Sequence, residues 1–259
     1  VKFWFTHNEP IVPAEGGYLY GFHYPVKTNH LKEAIQVGYN EILASALAIK
    51  EYKNLNLDGK IGIILNLSPS YPRDENNKED VKAAEISDAF FNRSFLDPCV
   101  KGHFPKDLIE IIKDRDIMPD ILNDDLDIIK NNVIDILGIN YYQPRRVKAK
   151  ESPCIKTNMP MPEDYFDNYD MPGKKMNPYR GWEIYEKGIY DLLINVKDNY
   201  NNIPCYISEN GMGVENESRF IKDDGMIHDD YRIDFIKDHL KYVHKAIKEG
   251  SNCLGYHMW

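Results

Sequence analysis

Five apolar runs recur along the 259-residue chain, and stretches of helical periodicity lie between them. The runs are Phe3–Asn8, Ile61–Leu67, Val133–Tyr141, Cys205–Ser208 and Cys253–Met258. Strands that alternate with helices from end to end build a parallel α/β sheet. The run inside KIGIILNLSPSYP is continuous rather than alternating, as a strand covered on both faces requires. Ile35, Tyr39, Ile42, Ala46 and Ile49 recur at spacings of four and three, which predicts a long helix with one apolar stripe. Further helices are expected over about Glu79–Phe95 and Lys106–Lys113. Asn123 is the expected cap of another, with Asp124 and Asp125 in its first turn. A helix is also expected around Ile189, Leu192, Leu193 and Val196, and a last one along Ile233, Ile236, Leu240, Val243 and Ile247. Glu151–Tyr179, with five Pro and four Met, reads as one long surface loop. No shift in composition divides the chain, so residues 1–259 are expected to form a single domain.

Two of the runs close on an acid. VKFWFTHNEP ends its apolar segment with Asn8 and Glu9, and Pro10 then stops the strand because it cannot donate to a central ladder. PCYISENGMG delivers Glu209 after Ile207 and Ser208, followed at once by Asn-Gly. Taken singly, either acid is what any strand reaching water carries, with Asn-Gly supplying a turn. Taken together they mean more. The C-terminal ends of parallel strands lie on one face of the sheet, where α/β proteins build their sites. Two carboxylates there are the apparatus of glycoside hydrolysis: one protonates the leaving oxygen, and the other attacks or activates water.

The remaining composition excludes more than it proposes. A net charge of −9 opposes attraction to nucleic acid or to an anionic membrane. No apolar run approaches the roughly 20 residues that span a bilayer, and no signal peptide is read. Cys99, Cys154, Cys205 and Cys253 lack metal or redox spacing and are expected as free thiols in a reducing cytoplasm. His239 and His244 are five apart and point to different faces of their helix. No phosphate-cradling glycine loop and no GxSxG elbow occurs, so no metal and no organic cofactor is expected. Arg145, Arg146, Lys148 and Lys150 form a basic run that reads either as a solvated stretch or as a phosphate contact. Eighteen Tyr, ten Phe and three Trp give many aromatic faces suited to sugar C–H surfaces.

The order FTHNEP, LNLSPSYP, FFNRSFLDP, LGINYY, GWEIYEKG, ISENG and LGYHMW resembles glycoside hydrolase family 1, the β-glucosidase family, along the whole chain. Its T-x-N-E-P and [I/V]-[T/S]-E-N-G motifs correspond to THNEP and ISENG. WFTHNEP, NYYQPRR and GYHMW lean to the family's bacterial 6-phospho-β-glucosidase branch. The resemblance implies a (β/α)8 TIM barrel, present here as about five strand–helix units running from its fourth strand to its eighth. It implies a retaining mechanism with Glu209 as nucleophile and Glu9 as general acid/base. It also implies that Asn8 bonds the sugar 2-hydroxyl, Tyr142 holds the nucleophile and Asn140 helps line the glycone pocket. Trp182 is then expected to border the leaving-group subsite, and Trp259 to wall the glycone. The substrate implied is a β-glucoside, 6-phosphorylated in that branch, with the phosphate read by a loop beyond Trp259. A non-catalytic barrel remnant, a plain β-glucosidase or β-galactosidase, and assembly into a homo-oligomer stay open on the sequence. The two outermost strands, Phe3–Asn8 and Cys253–Met258, are expected to be open edges.

Overall fold

The computed structural model describes residues 1–152 and 159–259, so the expectation for Cys154 lies outside the described residues. In chain order the first elements are β1 (Phe3–Asn8), the short helix α1 (Ile11–Ala14), α2 (Leu31–Asn54), β2 (Lys60–Asn66) and β3 (Ser70–Pro72). Next come α3 (Lys78–Asp88), α4 (Ser94–Lys101), α5 (Lys106–Asp114), α6 (Asp125–Asn131), β4 (Ile136–Asn140) and β5 (Arg145–Lys148). The last are β6 (Asp167–Asn168), α7 (Lys187–Asn199), β7 (Cys205–Asn210), α8 (Asp230–Lys248) and β8 (Cys253–Met258).

The five predicted strands form one all-parallel sheet in the order β1-β2-β4-β7-β8. Every C-terminal strand end therefore lies along one rim. Helices cover the outer face, where Ile63, Leu65, Ile139 and Ile207 are buried together with Ile42 and Ile49 of α2 and Leu193 and Val196 of α7. Burial on this face is the main stabilising term, at roughly 25 cal/mol per Å² of apolar surface removed from water. β1 and β8 are edges: Phe3 is 41% exposed, Trp4 47% and Met258 67%.

Several local expectations need correction. Residues 78–101 run as one helical stretch, α3 passing to α4 through a wider π-type turn at Ala89–Arg93, so the helix continues six residues beyond Phe95 and takes in Pro98. Asn123 does not cap α6. Asp124 occupies that position without a side-chain cap, and the Asp125 carboxylate instead accepts from the Leu122 N–H (2.9 Å) and the Tyr39 hydroxyl (2.8 Å). α8 buries Phe235, His239, Val243 and Ala246, whereas Ile233, Leu240 and Ile247 are exposed. The helix carries two apolar stripes, and the one with the ring pair Phe235–His239 (centroids 4.0 Å apart) faces the core. The described part of the Glu151–Tyr179 loop is not wholly irregular. It supplies β6, which joins β3 and β5 in a small separate sheet of three strands.

One glycine of GWEIYEKG has a packing reason. Tyr141 is fully buried and donates to the Tyr185 carbonyl at 2.6 Å, just before α7 begins. A Cβ on Gly188 would lie 2.0 Å from that phenol oxygen. Gly188→Ala must therefore displace the ring or strand its hydroxyl, at a cost of about 2–4 kcal/mol. The measurement is the denaturant midpoint at constant m-value, and an unchanged midpoint would contradict this packing.

Candidate active site

Glu9 and Glu209 both reach the sheet's C-terminal rim, and each strand prepares its acid in the same way. Between β1 and β2 the partners run Phe5↔Gly62 and then Asn8↔Ile64, so β1 carries one extra residue just before Glu9. Between β4 and β7 they run Ile139↔Ile207 and then Asn140↔Glu209, so β7 carries one extra residue at Ser208. A bulge of this kind re-aims the side chains that follow it. In β1 it sends Thr6 and His7 outward to α2, where they meet Ser45 (2.7 Å) and Glu41 (3.3 Å). Glu9 itself adopts φ 50°, a left-handed conformation uncommon for a side chain of this size and concentrated at functional positions.

β7 extends through Asn210, so Glu209 lies within the strand and Asn-Gly is not a turn. Gly211 is required for another reason: a Cβ there would lie 1.9 Å from the Trp259 carbonyl oxygen. The same approach lets the Trp259 N–H donate to the Asn210 carbonyl at 2.9 Å. Asn210 is buried, gives its amide N–H to the Tyr141 carbonyl (2.7 Å) and accepts from the Tyr256 hydroxyl (2.7 Å). The residues after the nucleophile candidate thus lock three strand ends together.

Both carboxylates line one cavity of about 1050 Å³, shared with Asn8, Tyr142, Trp182 and Trp259. That is spacious enough for a disaccharide-sized ligand. The Tyr142 hydroxyl donates to Glu209 Oε2 at 2.5 Å. Burial first, then that hydrogen bond and the charges of Glu209 and Glu9, hold the Tyr142 phenol well above its ordinary range, so it remains a donor. Trp182 packs against Tyr142, with ring centroids 5.4 Å apart. Trp259 is 75% exposed and walls the cavity at the end of β8.

Asn140, expected to line the pocket, lies beneath it. It is fully buried, because its amide is consumed by neighbours. Its Nδ2 donates to Asn8 Oδ1 (3.1 Å) and Glu9 Oε1 (2.9 Å), and its Oδ1 accepts from the Ser208 hydroxyl (2.7 Å). The bond to Asn8 Oδ1 leaves the amide N–H end of Asn8 for the cavity. Asn66, which sequence reasoning missed, lines the cavity and also donates to Glu9 Oε1, at 2.9 Å. With the strand ends as the structure sets them, four strands end on Asn at their rim (Asn8, Asn66, Asn140, Asn210). Asn92, in the π-type turn, holds the exit of β2 by accepting from the Ser68 N–H (3.0 Å) and donating to its carbonyl (2.9 Å).

The basic run is internally paired. Arg145 meets Glu15 (2.9 Å), Arg146 forks onto Glu183, Lys148 meets Glu151, and Lys150 meets Asp167 (2.6 Å). Among the described residues no group of three or more His, Cys, Asp or Glu could hold a metal ion, and no helix is long and apolar enough to cross a membrane.

Residues 1–259 match the profile of Glycosyl hydrolase family 1. Over its whole length the chain is 65% identical to 6-phospho-beta-glucosidase GmuD of Bacillus subtilis, covering 55% of that protein. It superposes on the family 1 β-glucosidase of Thermotoga maritima with TM-score 0.85 at 34% identity, covering all of this chain and 54% of that one. A β-glucosidase of Exiguobacterium marinum gives TM-score 0.85 at 30% identity, covering all of this chain and 56% of its own. The chain spans about half the length of the relatives it matches.

Proposed function

Since the chain belongs to glycosyl hydrolase family 1, we propose that it carries the catalytic half of a retaining β-glucosidase acting on 6-phosphorylated β-glucosides. The observation that carries the reading is the pair Glu9 and Glu209: two carboxylates on one parallel rim, facing one cavity, each with a different partner set. Glu9 protonates the oxygen of the leaving group while Glu209 attacks the anomeric carbon and displaces it. The covalent glycosyl–Glu209 intermediate is then hydrolysed by a water whose proton returns to Glu9. Tyr142 keeps Glu209 Oε2 engaged, so Oε1 is the attacking oxygen. Asn8 offers its amide N–H to the sugar 2-hydroxyl, a contact that strengthens as the oxocarbenium-like transition state forms. Trp182 supports the leaving group, and Trp259 gives the glycone an apolar wall.

The 6-phosphate preference is drawn from the 65% identity to GmuD. It is not drawn from the basic run, whose four cations already have carboxylate partners. Charge-assisted bonds to phosphate contribute about 1.5–3 kcal/mol each. In a protein containing this chain within a closed barrel, kcat/KM for an aryl β-glucoside 6-phosphate should exceed that for the plain glucoside by about 100-fold or more, the equivalent of one or two such bonds. A ratio favouring the plain sugar moves the protein to the unphosphorylated branch of the family.

A further inference from the structure

We propose that Asn66 is a positioning residue that dictates which oxygen of Glu9 carries the catalytic proton. The inference rests on the glycosidase reading above and adds to it an element of general-acid control. Glu9 Oε1 accepts two amide N–H groups, from Asn66 Nδ2 and Asn140 Nδ2, each at 2.9 Å. An oxygen that faces two N–H donors cannot itself be the hydroxyl oxygen of the neutral acid, because its proton would point at theirs. The neutral carboxyl therefore exists as the Oε2–H tautomer. When the leaving oxygen is protonated, the Oε2–H bond breaks, and the electrons of the cleaved glycosidic bond stay with that oxygen. The same two donors then hold the carboxylate, with Oε2 presented to the incoming water. The water gives its proton to Oε2 as its oxygen bonds the anomeric carbon, and Glu209 leaves as carboxylate.

The two donors differ in how firmly each is set. Asn140 is buried, and its amide orientation is fixed by Ser208 on one end and by Asn8 and Glu9 on the other. Asn66 is half-buried, lines the cavity and reaches Glu9 from β2, where it is the direct register partner of Asn140. Its strand exit is fastened on both sides. The Leu67 N–H donates to the Asn140 carbonyl (3.0 Å), and Ser68 is clamped by Asn92. Asn66 can be altered without uncovering the core, which makes it the informative position.

The test is Asn66→Asp in a protein holding this chain within a closed barrel, assayed on two β-glucoside 6-phosphates: a methyl glycoside, which needs an acid, and a dinitrophenyl glycoside, which does not. At neutral pH the aspartate turns an acceptor towards Glu9 Oε1 and removes the directing donor. The expected loss in kcat/KM is about 10²-fold on the methyl glycoside, at the lower end of general-acid contributions, and under about 3-fold on the dinitrophenyl glycoside. Once protonated, the introduced carboxyl can donate again, so the methyl-glycoside profile should be displaced to acid relative to the unsubstituted protein. Asn66→Ala should show the same substrate contrast without the acid displacement, and it carries the test if the aspartate variant fails to fold. Equal losses on both substrates, or a variant within about 3-fold of the unsubstituted protein on the methyl glycoside, overturn the proposal. An unsubstituted protein that cleaves neither glycoside overturns the glycosidase reading itself.

Discussion

Replacing Glu209 by glycine within a closed barrel is expected to lower kcat on aryl β-glucoside 6-phosphates by a factor on the order of 10⁴ or more, because the change removes the proposed nucleophile. The deletion leaves room for a small anion beside Tyr142. Azide should enter that space, attack the anomeric carbon from the face Glu209 used, and release the α-glycosyl azide in a single inversion. Glu9→Gly should respond to azide with the opposite stereochemistry. There the glycosyl–Glu209 ester still forms from an activated substrate, and azide replaces water in the second step to give the β-product. Glu9→Gln adds a kinetic signature. On dinitrophenyl glycosides kcat/KM should be nearly retained while kcat and KM fall together, since the first step needs no acid and the second lacks its base. Product configuration, read by NMR, decides the assignment: if both glycine variants gave the same anomer, the roles of the two acids would be wrong.

The two acids were legible in the sequence because each closes an apolar run at its end, and it is the recurrence of that pattern in two distant strands, rather than either acid alone, that marks a site. The inner strands β2 and β4 were legible from their burial. Burial on both faces makes Ile61–Leu65 and Ile136–Ile139 continuous apolar text. The supporting polar network was harder to read. Asn66, Ser208 and Asn92 are residues that any loop or turn accepts, and only the register places Asn66 and Asn140 side by side against Glu9. The bulges before Glu9 and at Ser208 are one-residue slips between strands distant in sequence, and periodicity within one strand carries no trace of its partner's register. α8 misled for a different reason. Its isoleucines and leucine make a good stripe by spacing, yet the core takes the face holding the Phe235 and His239 rings. Spacing identifies a face, and packing chooses between two.

A polypeptide of residues 1–259 by itself is expected to be catalytically silent on the same substrates, with kcat/KM at least about 10³-fold below that of a closed barrel, a loss in the range that misplaced catalytic groups produce. The reason lies in the sheet's two edges. A closed (β/α) barrel has eight strands, and this sheet has five, with β1 and β8 each paired on one side only. Phe3 reaches the Tyr206 ring at 5.7 Å and Tyr206 stacks on His257 at 5.8 Å, so some packing across the sheet persists. It does not close the site. Asn8 is exposed, Trp259 is 75% exposed, and both line the cavity that holds Glu9 and Glu209. Water entering there weakens every charge interaction the site relies on, from an effective dielectric near 20 towards 80, which lowers a close pair's energy about fourfold. It also competes for the amide and phenol donors that hold the two carboxylates. The unpaired edges add a second liability, since each offers a free row of N–H and C=O groups to another chain. Supplying a separate polypeptide with the remaining barrel strands should pair both edges at once and recover part of the activity, with the recovery saturating at one equivalent. A monodisperse preparation of residues 1–259 that turned over substrate at full rate would mean that the Asn66–Asn140–Glu9 network and the Tyr142–Glu209 bond hold the catalytic geometry without the rest of the barrel.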